Sequence, residues 1–520
     1  MMKIISAMTA SLIGAAVLGT LAPFAIAAES AAHADHGGID WRKDNNVEAA
    51  FAQARASHKP LFLYWGAVWC PPCNQVKATI FNRQEFIEKS RHFIPVYLDG
   101  DSPGAQKFGA QFKVRGYPTM ILFRPDGTEI TRLPGEVDAE RYLQVLTKAL
   151  NTSGSVADTL KVALAGGKGL KEDDWSLLAD YSWDDPEQKL VAHKDLPLTL
   201  QKLADQAPAG LSATRLHLKA LLAVATAAPD QTPVSINKAQ ANDRLLKALA
   251  DPRAAKDNMD VLTSATKELT EFLTPAKSDA RNKLVAAWNS ALVKLADDQS
   301  ISKTDRLGAV IAQVSLAKLD NGKPATALQN EVKKRVAQID QATTDAYERQ
   351  SVVSSAAYAL GDAGLLDESD KLLKAELKRS HSPYYFMSTL GSNARKRGDA
   401  SASLNWYEQA YDAAKGPATR LQWGSNYVIN LVDQSPADEA RIDKAVGSVF
   451  GELAKTDNAF YERNRAYLEK LGKKLGDWNK GGKHQVSWQK AKSQLDGICA
   501  KLPDNDPQKQ VCQSVLKNAV

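Results

Sequence analysis

Two hydrophobic rhythms divide this chain near Leu150. Before that point, short apolar runs alternate with stretches of helical spacing. Val47, Ala50, Phe51 and Ala54 recur as one face of a helix over 45–58. Strands are expected at 60–65, 93–98, 119–123 and 129–133, and helices at 71–89, 104–112 and 138–150, with Asp138 capping the last. Pro125-Asp126-Gly127 marks a hairpin turn between the last two strands. The order α-β-α-β-α-β-β-α predicts one α/β domain over 40–150. Beyond it the chain is rich in Ala, Leu, Lys, Asp and Gln, punctuated by Gly, Pro and Asp, and reads as helix throughout. The expected fold class is an α/β domain followed by a large all-α region.

The helical part divides into a linker with first helices (151–185), helices without visible register (186–345), a periodic stretch (346–480) and a C-terminal helical hairpin (481–520). In the periodic stretch, Gly364 and Gly398 are 34 residues apart, as are Ala357 and Gly391, Leu372 and Trp406, Leu373 and Tyr407, and Pro383 and Pro417. Ser425 extends the Ala357/Gly391 series. Small residues at a helix crossing, a turn glycine, large apolar residues on the second helix and a proline beyond it resemble tetratricopeptide repeats. Two departures stand against that pattern: Ala410 has Glu376 as its counterpart, and the third unit loses the turn glycine. A plain helical bundle is the alternative.

The first residues have the parts of an export signal. Lys3 precedes a mostly apolar run over 12–24, which closes on Ala25-Ile26-Ala27. Cleavage after Ala27 is expected, leaving a loose tail over 28–39 and a periplasmic protein. Gly14, Gly19, Thr20 and Pro23 make the run weak for a membrane anchor, and no cysteine near the cleavage site offers a lipid attachment point. No later stretch approaches the roughly 20 apolar residues of a spanning helix, so no stable membrane span is expected. The formal net charge of +6 is small for 520 residues and spread along the chain, which argues against a nucleic-acid partner. Four cysteines are too few to staple such a chain. His33, Asp35 and His36 lie in the tail, and no metal site is expected there.

The chemistry concentrates in Trp69-Cys70-Pro71-Pro72-Cys73, just after the first strand and at the start of a helix. A sulfur at a helix N-terminus meets unpaired N–H groups and the positive end of the macrodipole, which favour thiolate over thiol. Two intervening residues bring the second sulfur one turn away, close enough to form a disulfide. Cys70, the more exposed, is expected to attack, and Cys73, partly buried, to resolve the mixed disulfide. Such a site needs its attacking sulfur within reach of a second protein, so an entombed Cys70 would count against it. Half a zinc site is disfavoured because no second close cysteine pair or histidine pair lies nearby. A purely structural disulfide is disfavoured by the strand-to-helix context.

The motif resembles that of the thioredoxin superfamily, W-C-x-x-C between strand and helix, and Gly116-Tyr117-Pro118-Thr119 resembles the family's cis-proline loop. Trp41, Lys59-Pro60, Ile80-Phe81-Asn82 and Val96-Tyr97-Leu98-Asp99 are similar to the C-terminal thioredoxin-like domain of the reductant-relay protein DsbD and its soluble relatives. The resemblance covers about 40–150. It implies a thiol–disulfide oxidoreductase, and a reductant by preference. By the same resemblance Trp69 flanks the site, Pro118 shapes it and Tyr117 pairs with substrate main chain. It also implies disulfide-containing client proteins, an unidentified thiol–disulfide electron donor and no bound cofactor. Where the family has a buried acid six residues before the first cysteine, this chain has Tyr64. Losing that carboxylate would lower the Cys70 pKa, while Pro72 removes an N–H that would have done the same. Cys499 and Cys512 flank a Pro/Asp-rich turn and are expected to form a structural disulfide. The helical region is expected to recruit partners. In the competing reading it is an adaptor, with the α/β domain as its docking module.

Overall fold

The computed structural model describes residues 38–517 except 44–45, 115, 134–138, 153 and 184–189. The expected export signal, nearly all of the tail with His33, Asp35 and His36, and the Asp138 cap lie outside the described residues. A five-stranded sheet is built from β1 (Arg42–Lys43), β2 (Leu61–Gly66), β3 (Ile94–Asp99), β4 (Thr119–Phe123) and β5 (Glu129–Leu133) in the order β1-β3-β2-β4-β5. β3 runs parallel to both β1 and β2, whereas β4 is antiparallel to β2 and to β5. Every residue of β2 is buried, so the strand reads as a continuous apolar run.

Side-chain parity then splits β2 between two cores. Leu61, Leu63 and Trp65 pack with Val47, Ala50 and Ala54 of α1 (Val47–Ser57). Phe62 and Tyr64 face the layer of α2 (Pro71–Val76), α3 (Gln84–Ser90) and a later helix, α5 (Ala139–Asn151). Phe108 of α4 (Pro103–Phe112) joins the α1 side.

The expected single helix over 71–89 is broken. After Val76 the backbone widens into a π-helical segment at Lys77–Phe81, turns at Asn82 and Arg83, and resumes as α3. The wider turn accompanies burial of both Ile80 and Phe81, whose ring lies 5.2 Å from Trp41 and 5.0 Å from Tyr64. The hairpin turn forms as its residues dictate, with Gly127 at φ 92°. β1, only two charged residues at the sheet edge, offers no period by which it could have been anticipated.

Beyond α5 the described chain is helical. Leu177 of the helix Glu172–Asp180 enters the core beneath α5. A buried ionic chain secures this side: Arg141 of α5 meets Asp180 at 2.5 Å, Asp180 meets Arg215 at 2.8 Å, and Arg215 grips Asp260 at 2.7 Å. From Ala346 onward successive helices pack in pairs: Ala346–Asp362 on Leu366–Glu376, Pro383–Lys396 on Ala400–Ala413, and Pro417–Gln434 on Glu439–Leu453. Gly391 is small where a Cβ would stand 3.0 Å from the Tyr407 ring. Glu462–Trp478 follows, then Gln485–Cys499 and Pro507–Ser514, which the bonded Cys499–Cys512 pair joins with Cα atoms 5.6 Å apart. No helix among the described residues is long and apolar enough to cross a membrane.

Candidate active site

Cys70 is the N-cap of α2, in extended conformation, and its sulfur accepts a hydrogen bond from the Cys73 N–H at 3.2 Å. Pro71 and Pro72 occupy the first two helical positions, where one missing N–H is harmless and the other is a donor lost to the cap. The third position keeps its donor, and that donor reaches the sulfur. Asn74 pins the preceding loop by donating through Nδ2 to the Val68 and Cys70 carbonyls at 2.8 and 2.9 Å. Cys70 and Cys73 are disulfide-bonded, with Cα atoms 5.2 Å apart.

Opposite them the Tyr117–Pro118 peptide is cis, as the resemblance implied. The Tyr117 carbonyl oxygen lies 3.6 Å from Cys70 Sγ, where a thiol would donate to it. The carbonyl therefore favours the protonated sulfur, and the Cys73 N–H favours the thiolate. Tyr117's hydroxyl accepts from Gln106 Nε2 at 3.4 Å.

Behind the disulfide, burial and then the Asp99 carboxylate push the Tyr64 phenol far above its usual range, so it stays neutral. Tyr97 donates to Asp99 Oδ2 at 3.4 Å. Lys77, one turn beyond Cys73, is pushed down to about 8 by burial, with Asp99 opposing. The acid acting on this group of side chains is thus supplied by the end of β3, where Asp99 pairs with Gly66, and not by position 64.

The sequence predicts an exposed Cys70, and here the structure corrects it: Cys70 is 2% exposed and Cys73 0%. The reason is the helical region, which lies over the site. Trp69 Nε1 donates to Thr419 Oγ1 at 2.8 Å, and the Trp69 ring meets Trp423 edge-on at 4.9 Å. Asp101 accepts from the Thr419 N–H at 2.7 Å and from its hydroxyl at 2.5 Å. Burial pushes the Asp101 carboxyl up to about 7 against the lowering effect of the Thr419 hydrogen bonds. The Arg463 guanidinium sits 4.5 Å from the Tyr117 ring centroid and 5.4 Å from that of Trp69. His381 Nε2 lies 2.9 Å from the Val68 carbonyl, and Gln75 Nε2 donates to Ser302 and Asp305 at 3.1 and 2.9 Å.

The structure thus brings Trp69, Cys70, Cys73, Tyr117 and Pro118 to one place and sets the Cys499–Cys512 bond apart, between the last two helices. Sequence reasoning missed Asp101, Thr419, Trp423 and Arg463. Those from the helical region stand more than 300 positions from their partners, and no local spacing announces them.

A family model for a thioredoxin-like domain matches residues 47–150. Over 94 residues the chain is 31% identical to a thioredoxin of Mycolicibacterium smegmatis, covering 18% of this chain and 81% of that protein. It is 31% identical over 106 residues to the thiol:disulfide interchange protein DsbD of Pseudomonas fluorescens, a match spanning 20% of this chain and only 18% of the relative's length. It is 27% identical over 99 residues to the disulfide bond reductase DsbH of Chlamydia pneumoniae, covering 16% of this chain and 57% of that protein. The bonded cysteine pair capping α2, the cis-proline loop facing it and the match over 81% of a thioredoxin lead to one conclusion: through its α/β domain, this chain belongs to the thioredoxin-like family.

Proposed function

We propose that the protein is a periplasmic thiol–disulfide oxidoreductase that reduces or exchanges disulfides of client proteins through Cys70 and Cys73, exported by a signal cleaved after Ala27. The observation that carries this reading is the redox pair itself, at the cap of α2 with the Cys73 N–H on the Cys70 sulfur and the cis-Pro118 loop facing it. The Cys70 thiolate attacks one sulfur of a client disulfide. That bond breaks, a Cys70–client bond forms, and the departing client sulfur takes a proton. The Cys73 thiolate then attacks Cys70 Sγ, releasing the second client sulfur as a thiol. The client gains two electrons and two protons, and the chain is left with the Cys70–Cys73 disulfide. A dithiol donor of the same chemical class restores the reduced form. No bound cofactor enters these steps. Tyr117 offers main-chain groups to the client, Pro118 shapes the pocket, and Cys499–Cys512 serves as a structural staple. The chlamydial relative's name, a disulfide bond reductase, supports the reducing direction.

Burial of both cysteines under the helices favours a second reading, an adaptor in which the thioredoxin fold is only a docking module. Two measurements separate the readings. Cys73→Ser expressed in cells is expected to accumulate Cys70-linked client complexes, and Cys70→Ser to lose insulin-disulfide reduction. If Cys70→Ser leaves both client binding and reductase activity at the wild-type level, the adaptor reading replaces the enzyme.

A further inference from the structure

A client disulfide cannot be attacked by a sulfur with no open approach, so the arrangement of the helices over Cys70 must be part of how the site works. The cores of the α/β domain do not need these helices. Among the described residues, both sheet cores are built from residues up to Leu150, with Leu177 as the single later contributor. Of the domain's described buried apolar residues, only Ala67, Trp69, Cys70 and Cys73 belong instead to the core of the late helices. Lifting those helices would uncover the redox site and leave the domain's own packing intact.

The contacts across this face are also of a releasable kind. Pro417–Gln434 begins at Gly416 and has no side-chain cap of its own. The N–H of its third residue, Thr419, is taken by Asp101 of the other domain. Helix N-termini leave donors that water satisfies readily, so this bond exchanges for solvent at small net cost. Gly416, at φ 90°, lacks the Cβ that would collide with the Asp101 carboxylate. The hydrogen-bond chain runs from the indole beside Cys70 to Thr419 and on to Asp101. Through α5 of the domain, the Arg141–Asp180–Arg215 chain holds the two parts together, so release of the late helices does not separate them.

We propose that the helical segment carrying Thr419, Trp423 and Arg463 is a releasable cover over the Cys70–Cys73 site, latched by Asp101 on Thr419 and Trp69, and that client disulfides reach Cys70 only when it lifts. This deepens the thiol–disulfide reading and rests on it. The test uses the full-length protein with the pair reduced, and measures alkylation of Cys70 by a bulky maleimide, read by peptide mass, alongside insulin reduction. Asp101→Ala removes the latch, and Gly416→Ala drives a methyl group into it from the other side. At pH 6, where the closed cover holds Asp101 protonated, each is expected to raise the Cys70 alkylation rate about tenfold or more over wild type, since about 1.4 kcal/mol of hydrogen bonding corresponds to tenfold. Arg441→Ala, which breaks the 2.7 Å pair with Glu408 elsewhere in the same helices, is expected to keep the wild-type rate. Equal acceleration by Arg441→Ala would indicate general loosening and overturn the latch. Wild-type Cys70 reacting as fast as both latch variants, with equal insulin reduction by all, would overturn the cover and leave the exchange chemistry standing. Latch variants that alkylate rapidly yet reduce no insulin would support the cover and defeat the exchange reading.

Discussion

Closure over the redox site should depend on pH through Asp101, in a direction the structure decides. Burial acts on this carboxyl most strongly and raises it, the Thr419 donors lower it, and Asp99 beside it raises it again. Tyr117 and Tyr384 also face it, and both remain neutral because burial holds their phenols above the usual range. The net result is a carboxyl pushed up to about 7 with the cover closed, against an ordinary value of 3.8 when the cover is released into water. The closed form therefore binds the proton more tightly, and acid favours closure. That stabilisation is complete below 3.8 and is lost as the pH rises through 7. Between pH 8 and pH 6 the linkage amounts to ~1.3 kcal/mol, about a tenfold change in the closed-to-open ratio.

Alkylation of Cys70 reports the open fraction when the cover moves faster than the reagent reacts, but the thiolate fraction itself also depends on pH. Dividing the wild-type rate by that of Asp101→Asn at each pH cancels this common factor, because the amide does not ionise. The ratio is expected to fall about tenfold from pH 8 to pH 6. A ratio constant within about twofold, or one rising in acid, would refute the reasoning. It would mean that the two Thr419 donors and the helix N-terminus keep the carboxylate ionised despite its burial.

Asp180→Ala removes the carboxylate shared by Arg141 and Arg215, and because each arginine keeps a second acid it should cost about 3 kcal/mol of unfolding free energy in urea; a loss below about 1 kcal/mol would show that the chain is not a structural tie. Cys499→Ser with Cys512→Ser should lower stability by roughly 3 kcal/mol, read as a fall in thermal midpoint, and leave the Cys70 alkylation rate unchanged. Tyr64→Phe deletes a buried hydroxyl with no hydrogen-bond partner among the described residues and should be neutral or stabilising by about 1 kcal/mol; a lower thermal midpoint would reveal a partner for that hydroxyl.

The parts legible in the sequence are those whose physics is local. β4 and β5 fall at the expected residues because two short strand-forming segments joined by Pro125-Asp126-Gly127 have few other ways to fold. Cys70 and Cys73 were legible because a cap, two prolines and the next helical N–H lie within four positions. The break after Val76 was not, since it depends on how Phe81 fits between Trp41 and Tyr64, a packing outcome with no signature in spacing. Asp99 was visible as part of a strand ending, but its influence on Lys77 and Tyr64 arises only once β3 lies beside β2. Thr419 and Arg463 were beyond reach altogether. A threonine three residues into a helix and an arginine in a charged segment are ordinary, and what makes them part of the site is the placement of that helix over Trp69.

The burial of Cys70 follows from the same properties that suit it to exchange. Under the exchange reading proposed above, Trp69 and Tyr117 would present apolar rings to an extended client, and the hydrophobic effect drives such a patch to cover itself with whatever the chain supplies. Thr419, Trp423 and Arg463 are what this chain supplies. Any client must then displace contacts of the same kind, so its apparent affinity falls by the fraction of molecules that are open. At an open fraction of about 1%, that is a hundredfold penalty. A short unfolded segment with a disulfide but little apolar surface would not overcome it. A client offering aromatic or cationic side chains of its own to Trp69 and Tyr117 would. On that reading, selectivity would be set as much by competition with the late helices as by the two sulfurs.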